Sequence, residues 1–278
     1  MTLPNLTFAD CLQPGWCVSP HVRALVTTRN GGVSEPPYGR WTAGADQAGG
    51  LNLGLHTGDD PVAVAANRAR LLSLAGTRAA WLVQVHGNEV VLADDVIAAA
   101  DSGGAPAVRA DASVTATPGV ACLVMVADCM PVLLCDEAGR AVGAAHAGWR
   151  GLAAGIVEKT AQRVAELAGA KLENLCAYLG PAIGPGAFEV GADVRDVFMT
   201  EARVGERDLV ARAFVDHGST PGKYLADLYA LACVRLARLG IAQISGGDAC
   251  TVTDRERFYS YRRDRVTGRM AAMIWLAD

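Results

Sequence analysis

Between residues 81 and 146 the chain carries short apolar runs in close succession, WLVQV, EVVLA, ASVTA, ACLVMVA, PVLLC and AVGAAH. Runs of this length, rich in Val, Leu and Ala and cut by single polar or turn residues, read as strands rather than helices. So many strands in so short a span require a sheet-rich middle. After Gly151 the pattern changes. Leu152, Ile156, Thr160, Val164 and Leu167 recur at helical spacing, with Glu158, Lys159, Gln162 and Arg163 elsewhere on the helix. A second helix is predicted from Tyr224 to Leu239, after STPGK and ending at Gly240. CAYLG and RMAAMIWL add strands nearer the C-terminus. Helices and strands do not alternate as a doubly wound sheet requires, so the expected class is α+β. IAAADSGGAPAVRADAS reads as an exposed loop. No repeat, heptad series or charge block divides the chain, and a single domain over residues 1–278 is expected.

Composition narrows the partners. The chain has 278 residues, 51% of them hydrophobic, and a formal net charge of -4, so no global field favours nucleic acid or an anionic membrane. MTLPNLTFADCLQPGW has neither the basic nor the apolar region of a signal peptide, and GVACLVMVA stops at Asp128, short of the about 20 residues of a membrane helix. A soluble, cytoplasmic protein is expected. The eight cysteines form no CxxC pair. Cys11, Cys17, Cys122, Cys135, Cys176, Cys233 and Cys250 are read as reduced, mostly buried thiols.

His86 in WLVQVHGNEV, Cys129 in VMVADCMPVLL and His146 in VGAAHAGWRG each stand where an apolar run meets Gly or Pro. There the backbone can bend away and leave the side chain facing a cavity. Two imidazoles and a thiolate form a donor set that zinc accepts, with a fourth position left open for catalysis. Taken one at a time, each of these residues reads first as a core or turn side chain, and only the three together raise a metal site to an equal reading. Asp128, next to Cys129, is a candidate catalytic group that orients water or a histidine.

Other residues leave two readings open. Arg150 begins the first predicted helix, where it either faces an anion such as phosphate or caps a sheet edge. Arg29, Asn30 and Gly31 form either an anion-binding turn or plain turn chemistry. Asn52 and His56, in NLGLHTGDDP, are candidates for substrate binding or for turn structure. FYSYRRDRVTGRMA concentrates Arg262, Arg263, Arg265 and Arg269 with Tyr259 and Tyr261, and reads as a solvated hairpin or a local salt-bridge cluster.

QVHG, ADCMPVLL, GAAHAGWRGL, YLGPAIGP, FEVG, GKYLADL and SYRRDRVTGRMA together resemble the bacterial laccase-domain family, variously named polyphenol oxidase, multifunctional purine nucleoside phosphorylase and peptidoglycan editing factor. The resemblance runs from TTRNGGVS almost to the C-terminus. It implies a mixed-sheet sandwich of cysteine-hydrolase-like type and a metal, usually zinc with copper possible, held by His86, Cys129 and His146. It also implies phosphorolysis of adenosine, inosine, guanosine and methylthioadenosine, with deamination of adenosine. Purine nucleosides and phosphate are then the partners, and a monomer or small homo-oligomer is expected. Phosphorolysis needs the anion held against the anomeric carbon, a role we assign from the residues themselves, not from the resemblance, to groups such as Arg150 or Arg29. The usual zinc-deaminase signature of His-x-Glu and Pro-Cys-x-x-Cys is absent. Five histidines are too few for a conventional multicopper site, although a single copper remains open. Alternatives are a thiol hydrolase using Cys129 with His86 or His146 on peptidoglycan precursors, and a structural zinc.

Overall fold

The computed structural model describes residues 5–103, 106–218 and 220–277. Gly104 and Ala105 of the segment expected to be a loop, and Ser219 ahead of the second predicted helix, lie outside them. Two mixed sheets form the centre. The first runs Cys11–Leu12, Val22–Thr27, Met270–Leu276, Val120–Val126 and Arg78–Ala80. The second runs Gln243–Gly246, Leu175–Leu179, Met130–Asp136, Val142–Ala147, Ala112–Thr115 and Val90–Leu92. The inner pairs of the second sheet are antiparallel and both outer pairs parallel. This is the mixed-sheet sandwich that the resemblance implies, and it agrees with the α+β class read from the sequence pattern.

The sheets pack face to face. Cys122 and Val124 of the first meet Leu133, Cys135, Val142 and Ala144 of the second in one apolar layer. The far side of the second sheet, with Val132, Leu134 and Ala145, is covered by the helices Ile156–Ala168 and Leu228–Ala237. The far side of the first, with Leu123, Met125 and Met273, packs against Leu51, Leu53 and Leu71, the last from the helix Pro61–Ala75. Both faces of the central strands are thus dry, so ACLVMVA and PVLLC are continuous apolar runs rather than alternating ones.

Five expectations need correction. WLVQV is not a ladder strand: the strand is Arg78–Ala80, and Trp81–Val85 is irregular apart from a bridge between Val83 and Arg109. The expected loop begins inside a helix, Ala93–Asp101, because Ala93 and Val96 bury in the apolar layer between the sheets. The second predicted helix starts later: Lys223–Ala226 is a strand, and Asp227 caps Leu228–Ala237 by accepting from the Ala230 N–H at 3.0 Å. The first predicted helix is two, Trp149–Ala153 and Ile156–Ala168, separated at Gly155, whose φ of 83° no helix accommodates. All eight cysteines are free, and Cys17 is exposed rather than buried.

Candidate metal centre and its arginine rim

Register places two of the three predicted ligands side by side. Met130 pairs with Ala147 and Pro131 with His146 across adjacent antiparallel strands, so Cys129 emerges beside the His146 imidazole. His86 comes from the irregular segment beyond the other sheet. The donor atoms of His86, Cys129 and His146 lie within 4.8 Å of one another. The Cys129 Sγ is 3.7 Å from His86 Nε2, and the two imidazoles stand edge-on at 72°. His146 is buried, Cys129 half-buried and His86 exposed, which leaves the outer side of the trio open to a ligand. The backbone is shaped around it. A Cβ at Gly148 would lie 2.9 Å from the Cys129 Sγ and 3.3 Å from the His86 ring, so glycine leaves room for the donors. These residues fit a zinc-type ion with three protein ligands. Among the described residues no other group of His, Cys, Asp and Glu donors of this kind occurs, and none supplies a fourth ligand.

Sequence reasoning missed the residue that builds the trio. Asp111, fully buried at 0% exposure, bonds His146 Nδ1 at 2.8 Å, and its carbonyl accepts the His146 backbone N–H at 2.7 Å. The same carboxylate accepts the N–H groups of Val85 at 3.2 Å, His86 at 2.9 Å and Gly87 at 2.7 Å. One side chain therefore orients both histidines, turning His146 Nε2 toward the ligand cavity. It also stabilises His86 in the left-handed region at φ 60°, a conformation unfavourable for a non-glycine residue. Its only sequence signal was an acid just ahead of the ASVTA strand, inside the segment expected to be a loop.

Without a metal the trio is an ion pair. Burial pushes the Cys129 thiol up, but the neighbouring His146 and His86 outweigh it and bring it down to about 6. Burial likewise opposes charge on His146, yet Cys129 and Asp111 raise it to about 9. Asp111 is held below its ordinary value: burial acts against ionisation, and the bonds from His146, Gly87 and Val85 overcome it. A thiolate already formed at neutral pH is what metal binding requires.

The trio opens into a cavity of about 510 Å³ lined also by His56, Phe188, Arg150, Arg262, Arg265 and Arg269. None of these arginines forms an ion pair with a carboxylate among the described residues. Arg150 lies over the Trp149 ring at 4.3 Å, Arg262 donates to the Glu189 carbonyl at 3.0 Å, and Arg269 donates to its own loop. Burial lowers the Arg269 pKa, while Cys129 and Asp128 act the other way. The expected solvated cluster is therefore half realised. Arg263 pairs with Asp264 at 2.8 Å, but its neighbours face the cavity because Tyr261–Asp264 is a short helix rather than a hairpin.

The remaining predicted residues fall into two groups. Asp128 and His56 line the cavity, but both Asp128 oxygens are engaged, by the Thr251 hydroxyl and the Arg262 N–H, each at 2.6 Å. Arg29 and Asn52 do not line it. Arg29 is 1% exposed and its guanidinium is consumed by the Gly39 and Arg255 carbonyls and by Asp46 at 2.7 Å. Asn30 binds the Glu256 carbonyl, so this turn braces the chain instead of cradling an anion. Buried Asn52 bonds Thr57, Asp59, Gly54 and the Arg269 N–H, and so positions Arg269 from behind.

Comparison with known proteins agrees in sequence and in fold. "Purine nucleoside phosphorylase YfiH" of Shigella flexneri is 49% identical over 269 residues, covering 95% of this chain and 98% of that protein. The protein of the same name from Escherichia coli is 48% identical over 269 residues, with the same coverage. The crystal structure of Neisseria meningitidis protein NMB0706 superposes with a TM-score of 0.83 at 46% identity, covering 97% of this chain and 100% of that one. YlmD from Geobacillus stearothermophilus gives 0.80 at 29% identity, covering 97% and 99%. The sequence model of the family described as "Multi-copper polyphenol oxidoreductase laccase" matches residues 23–277, and the chain belongs to that family.

Proposed function

We propose that the protein is a zinc-dependent purine nucleoside phosphorylase, acting on adenosine, inosine, guanosine and methylthioadenosine and deaminating adenosine in the same cavity. The observation that carries this reading is the meeting of a three-donor centre and an arginine rim around one cavity. The names of the relatives supply the reaction. When bound, the metal supplies Lewis acidity at the substrate. Phosphorolysis breaks the ribosyl C1′–N9 bond as a phosphate oxygen bonds to C1′, and the purine leaves with a proton. Arg150 and the rim arginines hold the phosphate against the anomeric carbon, where positive charge develops. His56 loses basicity through burial and the cations Arg269 and Arg68, and so presents the purine with a neutral imidazole. The reading includes a cytoplasmic, single-domain protein, monomeric or a small homo-oligomer, with no nucleic-acid or membrane partner. No helix among the described residues is long and apolar enough to cross a membrane.

The test is turnover of inosine and adenosine with and without phosphate, on wild type and His146→Ala, with bound metal counted by elemental analysis. Phosphate-dependent release of free base, lost on chelation and in the variant by about 10³-fold, is expected. No nucleoside turnover by metal-loaded protein would end this reading. A second reading draws on the thiolate–imidazolium pair of Cys129 and His146: a thiol hydrolase acting on amides of peptidoglycan precursors. It requires amide turnover by metal-free protein that iodoacetamide abolishes. Multicopper oxidation requires more donors than the single trio among the described residues provides.

A further inference from the structure

Arg265 has the least ordinary backbone of the rim. Its φ is 62° and ψ -64°, and the Val266 N–H donates to the Asp264 carbonyl at 2.7 Å. Asp264, Arg265 and Val266 thus close a γ-turn of the rare hand, a conformation strained for any residue with a side chain. The strain is held by an unusually firm base. The Arg265 N–H donates to the Tyr261 carbonyl at 3.0 Å, and the Asp264 carboxylate is paired with Arg263 and Arg255. Arg263 also donates to the Thr251, Val252 and Phe258 carbonyls. The Arg262 N–H is tied to Asp128, the residue before the Cys129 ligand. Within this braced turn every charged side chain from Arg262 to Asp264 has a hydrogen-bond partner. Among the described residues the Arg265 guanidinium takes none: it is exposed at the cavity, with the Tyr261 ring at 5.8 Å. A strained backbone that presents one unpaired guanidinium to a reaction cavity is the signature of a ligand contact.

We infer that Arg265 is the phosphate-binding residue of the cavity, aimed by the γ-turn and acting with Arg150 from the other side of the sequence. The assignment rests on the phosphorylase reading for the identity of the anion, inorganic phosphate, and not for the existence of the anion site. Glycine relaxes the turn without moving it, since φ near 60° costs glycine nothing. Loss of the side chain and loss of the fold are therefore separable here.

The experiment uses metal-loaded wild type, Arg265→Gly and Arg265→Lys. It measures inosine phosphorolysis, equilibrium binding of inorganic phosphate and of inosine 5′-monophosphate by calorimetry, and thermal unfolding. Arg265→Gly is expected to raise the KM and Kd for phosphate about 10- to 100-fold. The KM for inosine should stay within about twofold, and the melting temperature should be unchanged or higher. Arg265→Lys should restore part of the phosphate affinity while melting lower than the glycine variant. Unchanged phosphate affinity in Arg265→Gly overturns the proposal. So does an Arg265-dependent affinity for inosine 5′-monophosphate with no measurable binding of inorganic phosphate, which would give the residue to an esterified phosphate. Wild type that binds phosphate through Arg265 but releases no free base would end the phosphorylase reading and leave the anion site standing.

Discussion

The two walls of the cavity are built in opposite ways. On the metal side, Cys129 and His146 stand at the ends of paired, fully buried strands, and Asp111 fixes both histidines through one carboxylate. On the arginine side, Arg262 and Arg265 ride on a short helix and a strained turn, fixed from behind by Asp128, Arg263 and Asp264. The metal wall pairs its charges internally: the Cys129 thiolate and the Asp111 carboxylate flank the His146 imidazolium even without an ion. The arginine wall does not, and keeps guanidiniums facing the cavity that have no carboxylate partner among the described residues. A pre-formed centre beside an unneutralised rim is what a site needs to hold a metal permanently and an anion transiently.

The largest test of this contrast is Asp111→Asn. It removes the carboxylate that orients His146 and anchors the Val85–Gly87 N–H groups, and should cut metal affinity about 10- to 100-fold. Metal titration would show this, while phosphate binding to protein saturated with metal should change little. The same variant tests pH linkage. A carboxyl held below its ordinary value of 3.8 contributes stability above that pH, lost as pH falls through the folded-state value. Metal-free Asp111→Asn should therefore unfold with a shallower dependence on acid than wild type. Equal metal affinity in wild type and variant would break the claim that this wall is organised by Asp111.

Asp128→Asn addresses the opposite wall. The carboxamide weakens the bond that holds the Arg262 N–H, so the KM for phosphate should rise about tenfold or less while bound metal stays stoichiometric. Loss of metal instead would mean that Asp128 serves Cys129 and not the arginine arm. The mildest test changes no residue. In metal-free protein, alkylation of Cys129 by iodoacetamide should fall off only below about pH 6, the thiolate persisting above it, and saturating zinc should protect the thiol. A midpoint near the ordinary thiol value of 9.0 would remove the ion pair from the description of the metal wall.

The same contrast explains what could be read without coordinates. His86, Cys129 and His146 were legible because each interrupts an apolar strand, and a strand end has few places to put a polar side chain except a cavity. Asp111 was not: its partners lie 25 and 35 residues away in sequence, and its own segment carries the Gly, Pro and Ala content of a loop. The arginine arm was half legible. Four arginines in eight residues of chain advertise charge, but whether a guanidinium meets a carboxylate, as Arg263 does, or a cavity, as Arg265 does, depends on the turn at residue 265. Arg29 shows the reverse error. A glycine-rich turn with an arginine looks like an anion cradle until packing puts the guanidinium 1% exposed against its own backbone.

The sequence by itself determined the sheet-rich α+β class, the donor chemistry of the trio and the family likeness, because strand length, apolar runs and motif order are local properties of the chain. Only the tertiary structure decided which acid orients the ligands, which arginines face the cavity and which are buried struts. Those choices are made by strand register and by the γ-turn at Arg265, which bring residues more than a hundred positions apart into contact, as Asp128 and Arg262 are, and no local pattern encodes such a contact.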